Sequence, residues 1–510
     1  MQNVADTIEA AITRYGDAIA FDDGTTSYTF AELGEITARI VTVYREAGLR
    51  RGDRVVMLQR NSMNFLLTEL ATYRAGLVRV AVNVRLNPQE YAYILQDSAA
   101  RACVHDPEFQ EGIDSIRGRT SCTVWMSGDD VIGRTAAAAP AADLPLGMKP
   151  SEPALIQYTS GTTGRPKGAV LTHGSKVQID RNVLTEIPTL GVDDVMLHVT
   201  PLTHASGALV LPCLLRGARQ VPKEFPGART YIEWVQKYGA TLSFLVPTLI
   251  KMIAEEAGGR PLPELADLKT VIYAGSPISP ENLSAALAVF GDRLLQFYGL
   301  SEAWFPIAAL RREDHRPGST ALGSAGRPAP FAEVRIQDEN GCAVPAGQIG
   351  EIATRGPHVM SRYWNNDAAT AEVLDADGWF RTGDVGYLDD SYYLHLVDRK
   401  NDMIISGGFN VYPLEVEEAL CRHADVDDAA VFGVPDHKWG EAVATAVVLR
   451  TGAEVTEADL KDHCKNLLAG YKCPRNFEFL LELPRNSAGK LLRRELRKKY
   501  WKEGARLIQG

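Results

Sequence analysis

Cysteine is scarce in this chain of 510 residues: there are seven, and no two are spaced as Cys-x-x-Cys. An odd, scattered set argues against a disulfide framework and against a zinc site, and points to a reducing, cytoplasmic setting. Long apolar runs are missing. The richest, GALVLPCLL from Gly207, is far too short to cross a bilayer. The first residues, MQNVADTIEAAITRYGD, are amphipathic with early acids and lack the continuous apolar core of a secretion signal. Positive charge is in deficit: 54 Lys and Arg against 64 Asp and Glu leave a net charge of −10. This charge argues against a general affinity for nucleic acid or anionic membrane surfaces. No repeat of a solenoid type is visible.

A chain this long exceeds one compact core, so two or more domains are expected. The stretch YTSGTTGRPKG, Tyr158–Gly168, crowds hydroxyls and glycines around Lys167. Such a loop turns backbone N–H groups toward an anion, and the lysine adds a point charge. It follows an apolar run, Ala154–Tyr158, that reads as a buried strand, a common setting for phosphate. It is neither a P-loop, because Pro166-Lys167-Gly168 replaces Gly-Lys-Ser/Thr, nor the G-x-G-x-x-G dinucleotide fingerprint. Taken alone, it could also be an ordinary surface loop.

Helix and strand signals alternate through the first half. Thr29 and Glu32 form a capping box for a helix reaching about Ala47 and stopped by Gly48. Asp53–Leu58 reads as a strand, NSMNFLLTELATYRAG as a capped helix ending at Gly76, and LVRVAVN as the next strand. Such αβ units predict a sheet with a parallel core, covered on both faces. Pro280 opens a later helix, Gly291 closes it, and RLLQF is a strand to Phe297. From about Gly323, strand alternation broken at Asn340-Gly341 and Ala346-Gly347 suggests hairpins. An Ala/Pro-biased connector, Arg134–Pro145, precedes the phosphate-loop strand. The last hundred or so residues read as a separate, nearly neutral α+β unit. The fold class expected is α/β: a large N-terminal domain with αβ-layered mixed sheets and a β-barrel-like subdomain, and a small mobile α+β C-terminal domain.

Four further stretches carry chemistry. FYGLSE (Phe297–Glu302) ends a strand with a carboxylate suited to Mg²⁺. FRTGDVG (Phe380–Gly386) places Asp384 where a carboxylate can accept both hydroxyls of a ribose. DRKNDMIISGGFNVYPLEVE (Asp398–Glu417) is hinge-like, and NSAGKLLRREL (Asn486–Leu496) offers Lys490 at a turn. Each has an ordinary reading in isolation: Glu302 as a helix N-terminal acid, Asp384 as a turn residue, Lys490 as a surface lysine, RRELRKKYWK as a solvated helix face. Their joint occurrence in this order is what carries weight.

With these residues in view, the chain resembles the acyl-adenylate-forming (ANL) superfamily, which includes acyl-CoA synthetases, adenylation domains of peptide synthetases and firefly luciferase. YTSGTTGRPKG, YGLSE, RTGDV, DRKNDMIISGG and the AGK lysine match its motifs in family order, from SYTFAEL near the start to GKLLRREL near the end. The resemblance implies an ATP-dependent acyl-CoA synthetase. A carboxylic acid attacks the α-phosphate of ATP to give acyl-AMP and pyrophosphate, and the thiol of coenzyme A then displaces AMP. It also implies an adenylation domain at 1–397 and a mobile C-terminal domain at 398–510 that rotates between the half-reactions.

Residue roles follow from the same resemblance. Thr159, Ser160, Gly161, Thr162, Thr163 and Gly164 would wrap the β- and γ-phosphates, with Lys167 at the loop's end. Glu302 with Thr159 would hold Mg²⁺. Asp384, with Arg399 nearby, would bind the ribose. Ala274, Gly275, Ser276, Pro277 and Tyr298 would form the adenine slot, with Tyr298 stacking on the base, and Phe297, Gly299 and Ser301 would also belong to the nucleotide site. Lys490 would bridge the acyl carboxylate and the α-phosphate. Ser406, Gly407 and Gly408 would line the pantetheine channel, and Asn401 falls at the hinge. His204, in PLTHASG, matches an element beside the acyl site, although a lone histidine is more often a satisfied core or surface residue.

That region holds no acid to bind an α-ammonium, which argues against amino acid substrates. His204, Ser206, Gly207, Phe244, Val246, Tyr273, Ala274, Phe297 and Pro306 outline an apolar, fairly aromatic pocket. Such a pocket suits an aryl, cyclic or medium-length acid. Two positions depart from the pattern: Asn401, where the family has Asp or Lys, and Arg362, where glycine is common. The alternatives are an acyl-AMP ligase loading an acyl carrier protein and, from another class, a catalytically inactive nucleotide sensor, which intact Lys490, Glu302 and Asp384 argue against. A homodimer is the default assembly.

Overall fold

The computed structural model describes residues 2–145, 147–159, 166–276, 278, 280–399, 402–406, 409–436, 439–485 and 491–500, with the side chains of Asp398, Arg399, Ile405, Phe409, Asn410 and Gly440 outside that description. The chain forms two compact units. One comprises Met1–Gly275, Ala285–Val334 and Thr354–Phe380, the other Ser276–Ser284, Arg335–Ala353 and Arg381–Gly510.

Local signals build the first unit. Thr29 accepts from the Glu32 backbone while Glu32 reaches back, and the helix Phe30–Glu46 follows. Ser62 caps Met63–Arg74. Gly48 and Gly76 follow these two helices in the left-handed region that a side chain disfavours. The strands between them join a seven-stranded sheet whose spatial order is Arg362–Tyr363, Lys167–Thr172, Pro153–Thr159, Val78–Ala81, Arg54–Leu58, Ala102–His105, Val124–Ser127. The last five are parallel, and Lys167–Thr172 folds back antiparallel on Pro153–Thr159.

A second, nine-stranded sheet runs Arg327–Pro328, Ala308–Leu310, Leu294–Tyr298, Thr270–Tyr273, Leu242–Leu245, Val195–His198, Arg219–Pro222, Ile19–Asp22, Ser27–Thr29. Its interior is parallel from Leu294–Tyr298 to Ile19–Asp22, as the repeated αβ units predict. The strand expected to stop at Phe297 runs one residue further, because Tyr298 pairs with Ala308. Ile40, Tyr44, Phe65 and Leu70 lie in one fully buried core, and Val56, Val80, Ile94 and Ile156 lie in another.

The region read as barrel-like contains a four-stranded sheet ordered Glu333–Gln337, Gly350–Arg355, Phe380–Leu388, Leu394–Arg399. Asn340-Gly341 makes the tight turn expected there, with Gly341 left-handed and the Asp338 N–H donating to the Cys342 carbonyl. In the C-terminal part, Gly440–Leu449 is flanked by Val426–Asp436 and Ile404–Ser406, both antiparallel, and carries Asn476–Leu480 in parallel. Val431, Val443 and Val447 face one core, while Phe432, Ala444 and Ala446 face another, as strand alternation requires.

Candidate active site

In open parallel sheets, ligands bind beyond the carboxyl ends of the strands. Four candidate segments occupy that position on four neighbouring strands. The Pro201–His204 turn follows Val195–His198, Val246 follows Leu242–Leu245, Ala274 and Gly275 follow Thr270–Tyr273, and Gly299–Glu302 follows Leu294–Tyr298. The Thr200 hydroxyl donates to the Phe244 carbonyl at 3.4 Å, tying two of these ends together. Gly275 is left-handed, and a Cβ there would lie 3.8 Å from Val246.

Gly299 has no room for a side chain. A Cβ would lie 2.6 Å from the Phe305 backbone nitrogen. The tight turn it permits returns the chain to Ala308–Leu310 and projects Ser301 and Glu302. The Glu302 carboxylate accepts the Tyr363 hydroxyl at 2.9 Å, and its backbone carbonyl accepts the Met360 N–H at 2.7 Å. Burial, then the Glu302 charge, pushes the Tyr363 phenol far up, so it stays a donor. Tyr363 also offers its ring face to Lys167, whose Nζ lies 5.2 Å from the centroid. Lys167 is the cross-strand partner of Thr159. The described ends of the phosphate-loop hairpin are thus connected through Tyr363 to Glu302. Ser160, Gly161, Thr162, Thr163 and Gly164 lie outside the described residues, as does Pro277.

Arg362 has a structural account. Its guanidinium lies 5.9 Å from the Trp364 ring, in the short strand that holds Tyr363 against Lys167–Thr172.

His204 opens a short 3-10 turn, Ala205–Leu209, and its Nδ1 lies 2.9 Å from the Thr203 hydroxyl. Burial, reinforced by Arg79, pulls its imidazole down to about 4, so it is neutral at physiological pH. Phe244 stacks on Phe305 with 5.8 Å between centroids and 5° between planes, and Phe297 packs on the same ring at 5.5 Å. Pro306, next in the chain, is buried.

Of the residues expected in this pocket, Tyr273 and Ser206 find partners away from the phenylalanine cluster, and Gly207 packs against the main chain of Leu202. Tyr273 is paired in register with Gln296 and projects from the opposite sheet face to Phe244 and Phe297, because residues one apart in a strand alternate. Its hydroxyl meets Gln296 and His315, each at 3.0 Å. Ser206 is fully buried, 2.7 Å from His198 Nδ1, and His198 Nε2 meets Gln220 at 2.9 Å. That chain satisfies the hydroxyl within the core. Gly207 is packed so that a Cβ would sit 2.1 Å from the Leu202 carbonyl oxygen.

In the second unit, Asp384 is buried on Phe380–Leu388, after the left-handed Gly383, and is the cross-strand partner of Arg399. Ser406 is buried at a strand end and pairs in register with Phe409. Gly407, Gly408, Asn401 and Lys490 lie outside the described residues, as does the Arg399 side chain. Lys490 is flanked by a bridge between Arg485 and Leu491. The basic helix beyond it is not simply solvated: Arg493 pairs with Glu417 at 2.7 Å, and Arg493 and Arg497 both reach Asp402 at 3.4 Å.

Sequence reasoning missed Tyr363, Phe305 and Arg79. Tyr363 and Phe305 stand beside quoted motifs, and a surplus of aromatics there was the available signal. Arg79 had none, since an arginine in a strand reads as an edge residue.

Residues 8–364 match the family model for AMP-binding enzymes, and 415–490 match the model for the AMP-binding enzyme C-terminal domain. The chain belongs to the AMP-binding enzyme family. It is 39% identical over 485 residues to a feruloyl-CoA synthase of Amycolatopsis sp, covering 95% of this chain and 96% of that one. It is 34% identical to the fatty acid–acyl-carrier-protein ligase ScoC of Streptomyces coeruleorubidus, covering 94% and 93%. Its fold superposes on ATP-bound MatB from Rhodopseudomonas palustris with a TM-score of 0.89 at 29% identity, covering 98% and 99% of the two chains. The chain is an AMP-forming acid–thiol ligase of the acyl-CoA synthetase type, with ATP as the family's nucleotide substrate. No helix among the described residues is long and apolar enough to cross a membrane.

Proposed function

We propose that this ligase activates a hydrophobic acid, an aryl acid first, as acyl-AMP, and passes the acyl group to the thiol of coenzyme A. The observation that carries the reading is the aromatic cluster in which Phe244 stacks on Phe305 and Phe297 packs on the same ring at a tilt of 35°. Phe244 and Phe297 stand on two strands of the sheet whose neighbouring carboxyl ends present His204, Val246 and Ala274, and Pro306 follows Phe305 in the chain. Flat rings grouped in this way favour a flat guest.

The carboxylate of the acid attacks the α-phosphorus, a P–O bond forms to the acyl oxygen, and the bond to the bridging oxygen breaks as pyrophosphate leaves. The Thr159–Gly164 loop and Lys167 hold the departing pyrophosphate, and Tyr298 stacks on adenine beside Gly275 and Ser276. Asp384 and Arg399 take the ribose. Glu302 and Thr159 suit Mg²⁺: both offer oxygen, and among the described residues only one Glu302 carboxylate oxygen is engaged, by Tyr363. When bound, that ion would neutralise charge on the phosphates. Lys490 neutralises the two anions that must meet, a contact worth on the order of 3 kcal/mol of barrier. In the second step the thiol sulfur attacks the acyl carbon, the thiol proton is released, and AMP departs. Ser406, Gly407 and Gly408 border the thiol path, and the division at 397/398, with Asn401 as hinge, lets one active site serve both steps.

All seven cysteines are unpaired, which suits the cytoplasm. A homodimer is proposed on general grounds, and sedimentation velocity reads it. The decisive test is pyrophosphate release with Mg-ATP across aryl, cyclic and alkyl acids, with and without CoA. Turnover with aryl acids that requires CoA supports the reading. A single equivalent released, unmoved by CoA, would replace CoA with a carrier-protein thiol, the acceptor named for ScoC. No release from any acid would sink the enzyme reading.

A further inference from the structure

Beneath the His204 turn lies a group of four buried charges with no part in the reaction described above. Arg79, on Val78–Ala81, is 1% exposed, and its Nε lies 2.6 Å from Glu69 Oε1, itself 5% exposed, on the helix Met63–Arg74. Lys176 and Asp180, one turn apart on His173–Glu186, form a second pair, equally buried. Burial raises the Glu69 carboxyl, and both Arg79 and Lys176 pull it back, so the two pairs form one electrostatic cluster.

Each cation also reaches a segment next to a residue assigned to the acyl site, His204 for Arg79 and Pro306 with Phe305 for Lys176. Arg79 Nη2 donates to the Leu202 carbonyl at 3.0 Å, inside the Pro201–His204 turn. Lys176 Nζ lies 5.9 Å from the Trp304 ring, which precedes Phe305. Gly207 completes the fit. Its missing side chain is what leaves the Leu202 carbonyl free to face Arg79, because a Cβ would stand 2.1 Å from that oxygen and 3.6 Å from Arg79 Nη2. A buried ion pair is weak evidence for stability, since an apolar pair of similar volume often serves as well. A cluster that touches the Leu202 carbonyl and the Trp304 ring calls for another explanation.

We propose that Arg79 is a positioning residue for the acyl substrate: held by Glu69, it clamps the Leu202 carbonyl and thereby sets where His204 stands against the acid. The inference rests on the reading of His204 as part of the acyl site. Arg79 touches no reacting atom, so its loss should be felt in recognition of the acid and not of ATP.

Two variants test this. Glu69→Met/Arg79→Met removes both charges at similar volume. Arg79→Lys keeps the charge but loses the fork that serves Glu69 and Leu202 together. Each is assayed by acid-dependent pyrophosphate release, with KM measured separately for the acid and for ATP. The expected result is an acid KM raised by about tenfold or more in both, at an ATP KM within about twofold of the parent. If the double variant does not fold, Arg79→Lys decides alone. An unchanged acid KM in a folded variant, or equal losses for acid and ATP, would overturn the proposal while leaving the ligase reading intact. A parent enzyme that releases no pyrophosphate with any acid would overturn both.

Discussion

Tyr363 shows how much one side chain can organise. Its hydroxyl orients Glu302 and its ring faces Lys167, so two groups assigned to the phosphate end of ATP share one support. Tyr363→Phe keeps the ring and deletes one hydrogen bond to a carboxylate, worth about 1.5–3 kcal/mol. The expected outcome is pyrophosphate release slowed by about tenfold or more, with a raised Mg²⁺ requirement, read by titrating Mg²⁺ at fixed ATP. Lys490→Ala belongs to the same scale. It should lower acyl-AMP formation by about 10²–10³, while acyl transfer from synthetic acyl-AMP to CoA persists. Equal loss of both steps would show that the lysine does not serve adenylation alone.

At the scale of elements, the connection from Leu294–Tyr298 to Ala308–Leu310 carries both Glu302 and the Phe305 ring. Gly299 makes its turn possible, with the Phe305 backbone nitrogen 2.6 Å from where a Cβ would lie. Gly299→Ala cannot be accommodated by a side-chain rotation, because the obstacle is main chain. It should destabilise the protein by about 1–3 kcal/mol and abolish acid-dependent release, seen by denaturant titration and assay together. The strand before it was readable from composition and turn residues, since apolar runs and glycine stops act over a few residues, whereas the short Ala308–Leu310 strand was not read from the sequence. The pairing of Tyr298 with Ala308 was not, because register depends on a partner that only the folded sheet supplies.

For the molecule as a whole, histidines withdrawn from water weigh heavily on the response to acid. Burial lowers His173, His198, His204 and His358 to about 4 each. The unfolded value is about 6.5. Between those values the unfolded chain binds more protons than the native one, so stability is full above about pH 6.5 and is lost as pH falls toward 4. Asp180, raised to about 6 by burial, works in the opposite sense, as do Glu69, Asp106, Glu417 and Glu418, which burial also raises, while His105 and His315 are lowered by burial and add to the four. Calorimetry should therefore find the transition temperature lower at pH 5 than at pH 7.5, with net proton uptake on unfolding. A temperature unchanged across that range would mean that these imidazoles are hydrated.

Most of the architecture and the reaction class were determined by the sequence alone. Caps, left-handed glycines, αβ alternation and five motifs in order are short-range features, written in adjacent residues. What only the tertiary structure decided was which side chains meet. Tyr273 and Phe297 read alike in sequence, yet sheet register places them on opposite faces. Ser206 lies two residues from His204 but turns into the core, because His198 and Gln220 on neighbouring strands satisfy it there. Tyr363 reaches Glu302 across 61 residues, and Arg79 reaches Leu202 across 123. The strand period says that neighbours point apart, but which face is core, and which buried charge finds which carbonyl, depends on contacts formed only when distant segments pack.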